Sequence, residues 1–63
     1  MYIVEVRTHN NHKKEYKIIE QDLAYFYFSS FIQAVDVEYV VITDGLTGEV
    51  LVEYDNGKIE IYT

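Results

Sequence analysis

The sequence predicts an α+β domain: one antiparallel sheet of about five strands in the order ββαβββ, with one helix packed across one face. Three observations lead there. The carboxyl-terminal run EYDNGKIEIY places Asn56-Gly57 between two alternating stretches. Asn-Gly favours positive φ at both central turn positions, so it marks a two-residue hairpin. Three further runs, YIVEVR, EYKII and VEYVVIT, alternate or are rich in β-branched and aromatic residues, as half-buried strands are. The segment LAYFYFSSFIQAV contains no Gly or Pro and is long for a strand.

The first strand is expected over residues 2–7, with Tyr2, Val4 and Val6 on one face and Ile3, Glu5 and Arg7 on the other. The following THNNHKK, residues 8–14, is wholly polar and reads as a loop. A second strand over 15–19 then turns Tyr16 and Ile18 to one side, and the two strands form a hairpin. For residues 23–35 a helical wheel gathers Leu23, Ala24, Tyr27, Phe28, Phe31, Ile32, Ala34 and Val35 on one half. Ser29, Ser30 and Gln33 fall on the other half, with Phe26 among them, and Asp22 suits the positive end of the helix dipole. The third strand covers 37–43. If DGLTG, residues 44–48, forms a five-residue loop, Ile42 faces Val50 and Val40 faces Val52. The Asn-Gly turn sets the last register: Asp55 opposite Lys58, Tyr54 opposite Ile59, Glu53 opposite Glu60, Val52 opposite Ile61 and Leu51 opposite Tyr62. Val50, Val52, Tyr54, Ile59 and Ile61 then make a core face.

Residues 1–63 make a single domain. A chain this short buries only ~60% of the surface its unfolded form exposes, so it gains from disulfides, metals or oligomerisation. There is no cysteine, which removes disulfides, zinc fingers and thiol chemistry and fits a reducing cytoplasm. The amino terminus lacks a basic segment followed by an apolar run. The longest stretch with few charges, 23–35, falls short of the ~20 apolar residues that span a bilayer. The expectation is a cytoplasmic protein without a membrane segment.

The net charge is −6, unevenly placed along the chain. Residues 1–17 carry four cations against two acids, net +2, and residues 18–63 carry one cation against nine acids, net −8. Acidity of this kind keeps an aromatic-rich protein soluble and repels nucleic acid. His9 and His12 have an H-x-x-H spacing, but they lie on a flexible loop with Lys13 and Lys14 beside them and no third ligand in sight. There is no GxSxG, phosphate-binding glycine loop, HExxH or cysteine nucleophile, and Gly45, Gly48 and Gly57 all lie where turns need them. The expectation is therefore no enzyme, no cofactor and no metal.

What remains is surface. The face away from the helix is expected to hold Tyr39, Val41, Leu51, Glu53, Glu60 and Tyr62: an apolar centre with an acidic rim, and two like charges directly opposite each other. Phe26 adds an apolar ring on the polar side of the helix. These seven residues are the candidate interaction site, and a self-associating protein-interaction module is the reading they favour. Two alternatives follow from the charges. One is an acidic mimic of nucleic acid that inhibits a DNA- or RNA-processing enzyme, as an accessory protein of a mobile element could. The other is nucleic-acid binding through the basic stretch 8–17, against which the aromatics do not interleave with the cations.

Overall fold

A computed structural model describes residues 1–62. In chain order it contains β1 (Tyr2–Thr8), β2 (Lys13–Ile18), α1 (Gln21–Ile32), β3 (Val37–Asp44), β4 (Val50–Asp55) and β5 (Lys58–Ile61). The five strands form one antiparallel sheet in the order β2-β1-β3-β4-β5. The ββαβββ architecture and the single helix agree with the sequence. No helix among the described residues is long and apolar enough to cross a membrane.

The helix packs on β3, β1 and β2. Beneath it, Val4, Val6, Ile18, Val40, Ile42 and Val52 form a continuous buried cluster with Ala24 and Phe28 of the helix. Tyr16, Tyr27 and Phe31 close one flank, with ring centroids 5.4–6.1 Å apart. These separations lie in the range in which edge and tilted ring pairs are favourable. The helix begins where Ala24 N–H bonds to the Glu20 carbonyl at 3.1 Å, with Asp22 in its first turn. It ends earlier than the wheel implies. Gln33 and Ala34 donate back to Ser30 and Phe31, and Val37 N–H reaches the Ala34 carbonyl. These tight turns stop the helix without Gly or Pro and leave Val35 97% exposed, so Val35 is not a core residue.

The Asn56-Gly57 turn has φ values of 47° and 90°, and the β4–β5 register is the one its two-residue loop dictates. Elsewhere the ladder departs from simple alternation at two bulges, and each moves side chains between faces. The first lies between β3 and β4. The expected five-residue loop gives way to a tighter one, 45–48, closed by Asp44 and Glu49 and organised by Asp44: its carboxylate accepts the N–H of Leu46 at 2.8 Å and of Thr47 at 3.3 Å, and its own N–H bonds to the Glu49 carbonyl at 2.8 Å. Thr43 therefore faces Val50. The next pair is Ile42 with Val52, followed by Val40 with Tyr54, so Leu51 is the extra residue. This corrects both expected pairs, Ile42 with Val50 and Val40 with Val52. It also exchanges two neighbours: Leu51 is buried in the main cluster, while Val50 pairs on the open face with Thr43 and is partly exposed.

The second bulge lies between β1 and β3. Arg7 pairs with Tyr39 and Thr8 with Val37, which makes Glu38 the extra residue. Val37 turns into the core, and Glu38 turns toward Arg7 and His9. The β1–β2 loop is also shorter than its polar composition implies. Thr8 N–H bonds to the His12 carbonyl at 2.9 Å, Asn11 adopts φ 68°, and Lys13 and Lys14 already belong to the ladder. Ile19, expected at the end of the strand, lies outside it and is exposed.

Candidate interaction surfaces

The register aligns side chains of the open face into rows that cross the sheet. One row runs Glu15, Glu5, Val41, Glu53, Glu60 from β2 to β5. The row beside it runs Lys13, Arg7, Tyr39, Asp55, Lys58. Four carboxylates in line would repel one another if left alone. The neighbouring row supplies Lys13 Nζ at 4.0 Å from Glu5, and Val41 separates the two acid pairs. The Arg7 guanidinium lies 4.7 Å from the Tyr39 ring centroid and within 3.7 Å of Glu38. This is cation–π distance and a partly exposed ion pair.

Glu53 is the hub of this face. Tyr39 donates its hydroxyl to Oε2 at 2.7 Å, and Tyr62 donates to Oε1 at 2.9 Å. The carboxylate thus holds two charge-assisted hydrogen bonds in place of a bare confrontation with Glu60. Val41 lies within this frame and is 5% exposed. The expected apolar centre of the open face is therefore sealed by its own neighbours. Of the seven candidate residues, Tyr39, Glu53 and Tyr62 are joined in one hydrogen-bonded group, with Val41 and Glu60 in the same strand row. Leu51 is in the core beneath, and Phe26 stands apart on the outer side of the helix, 65% exposed. Val41 and Leu51 are buried and offer no contact surface.

Burial of the Tyr39 ring, and then its hydrogen bond to the Glu53 carboxylate, push its hydroxyl up to about 12. The Tyr62 hydroxyl is raised as well, first by the hydrogen bond to Glu53. The folded chain then holds a proton that the unfolded chain releases near pH 10, so stability falls as pH rises from about 10 to 12. Absorbance titration of the seven tyrosines should show a late step near pH 12 that is missing from Tyr39→Phe. Titration of all seven together near pH 10 would contradict this geometry.

The sequence did not single out the surface that the helix leaves bare. The helix packs over one side of the sheet, and β5 lies beyond its reach. Ile59 and Ile61 of β5, on the same side as the core, are largely exposed. β5 is also a sheet edge. The signal was available, since one helix cannot cover five strands, but assigning both isoleucines to the core concealed it.

A half-open cleft of about 340 Å³ lies between the end of the helix and the β1–β2 hairpin. Its floor includes Val6, Tyr16 and Phe31, and its polar margin is Thr8, His12, Lys14 and Asp36. His9 is engaged elsewhere, with its backbone N–H on the Asp36 carbonyl and its Nδ1 3.5 Å from Glu38, so the two histidines do not converge. Comparison with protein-family models, with curated proteins and with solved structures finds no match.

Proposed function

We propose that this chain is a small acidic protein-interaction module that associates with itself and performs no chemistry of its own. The supporting observation is the half-covered sheet: the helix stops short of β5, whose Ile59 and Ile61 stand exposed beside an unpaired strand edge. A 63-residue chain with no cysteine gains stability by covering such a surface. The acidic-mimic reading has less in its favour. Glu5 is engaged by Lys13, both oxygens of Glu53 accept from tyrosines, and Arg7 lies in the adjoining row. Sedimentation equilibrium of the whole chain at tens of micromolar tests the proposal. Mass above the monomer is the expected result, and a monodisperse monomer would sink it.

A further inference from the structure

The two edges of the sheet differ. The β2 edge, KKEYKI, carries three lysines in six residues. Lysines on an edge strand discourage pairing with another sheet. The β5 edge, KIEI, has one lysine and two exposed isoleucines.

Its backbone is also set for pairing. The two-residue turn makes Asp55 and Lys58 a hydrogen-bonded pair, so alternate residues of β5 bond to β4. The bond from Tyr62 N–H to the Leu51 carbonyl, at 2.9 Å, confirms that phase. The N–H and C=O groups of Ile59 and Ile61 therefore point away from the sheet.

We infer that β5 pairs antiparallel with β5 of a second copy of this chain, with Ile59 opposite its own counterpart across a two-fold axis. This rests on the self-association reading above and names its surface and register. A two-fold axis normal to the sheet keeps each side chain on its own face, which leaves four registers centred on a residue of β5. Centring on Lys58 would set Lys58 against Lys58, a repulsive arrangement. Centring on Glu60 would set Glu60 against Glu60 and extend the acidic row, a repulsive arrangement. Centring on Ile61 would bring Glu60 opposite Tyr62 and leave Lys58 without a partner. Centring on Ile59 places Lys58 opposite Glu60 of the other copy, twice by symmetry. It joins the exposed Ile59 side chains on the helix-bearing face, and it sets Ile61 against Gly57 of the other copy. The space at Gly57 where a side chain would stand is open. Charge and shape agree only in this register. The result is a closed dimer with one ten-stranded sheet, whose remaining edges are the lysine-rich β2 strands. Pairing over so short a strand buries less than a standard interface, so a dissociation constant on the order of micromolar is expected.

The test is sedimentation equilibrium on the whole chain, which is short enough to be made by total synthesis. N-methylation of Ile59 removes an outward donor without touching the bonds to β4. It should raise the dimer dissociation constant about tenfold or more with an unchanged circular dichroism spectrum. Lys58→Glu and Glu60→Lys should each weaken the dimer, and the double exchange should restore it. Failure of the exchange to restore overturns the register. A dimer indifferent to N-methylation overturns the edge while leaving self-association standing. A monomer at tens of micromolar overturns both. Species growing beyond the dimer would mean head-to-tail pairing of β5 with β2, and would overturn the closed form.

Discussion

Phe28→Ala is expected to lose about 3–5 kcal/mol of stability and to leave much of the chain unfolded. Phe28 is the largest buried side chain of the helix, and apart from Ala24 the only helix residue fully inside the main cluster. Removing the ring strips the core of its deepest contact with α1 and leaves a cavity that a single sheet cannot collapse to fill. A domain of this size has only roughly 3–9 kcal/mol in total, taking ~0.05–0.15 kcal/mol per residue. Urea denaturation followed by far-ultraviolet circular dichroism measures the loss. Phe26→Ala, two positions away on the exposed side, is the control and should cost about 0.5 kcal/mol or less. Equal effects of the two substitutions would mean that the helix presents a different side to the sheet.

The second large effect contrasts two isoleucines on the same side of the sheet. Ile42 is 0% exposed in the central strand, flanked by Val4 and Val52, whereas Ile61 is 73% exposed in the edge strand. Ile42→Ala should cost about 2–5 kcal/mol, as for a fully buried aliphatic chain. Ile61→Ala should cost about 0.5 kcal/mol when measured in dilute solution. Thermal melts at concentrations well below the dimer dissociation constant supply the comparison. A large loss at Ile61 under those conditions would show that β5 is covered within the single chain. A loss that emerges only at high concentration would fit a surface buried by a second copy.

Local rules carried the β4–β5 hairpin, the existence of the β1–β2 hairpin and the helix. Asn56-Gly57 defined the whole β4–β5 register because a two-residue turn leaves no freedom in the pairing. The wheel correctly set Ala24 and Phe28 inward and Phe26 outward. What could not be read was the pair of bulges. Alternation assumes one residue per step on each strand, and an inserted residue inverts everything beyond it. Val50 and Leu51 changed places for that reason, and Val37 went inward while Glu38 became the partner of Arg7 and His9. The candidate surface suffered most, because it was assembled from parity. Lys13 and Lys14 were missed as strand residues for another reason: an edge strand with one solvated face need not look apolar. The Tyr39–Glu53–Tyr62 group had a partial signal, since Glu53 opposite Glu60 announced a charge problem that hydroxyl donors can relieve.

The seam between β1 and β3 has a consequence for the order of assembly. β1 with β2 makes one hairpin, and β3, β4 and β5 make a continuous meander, so each unit is built from neighbours in the chain. The seam alone joins the beginning of the sequence to its middle, pairing Tyr2 with Asp44 and Thr8 with Val37. Closing it means ordering the whole intervening segment, helix included, before its contacts repay the lost chain entropy. That one alignment carries the longest loop closure in the sheet, so it, rather than either hairpin, is expected to set the pace of folding. The helix lies across that seam, packed on β1 and β3.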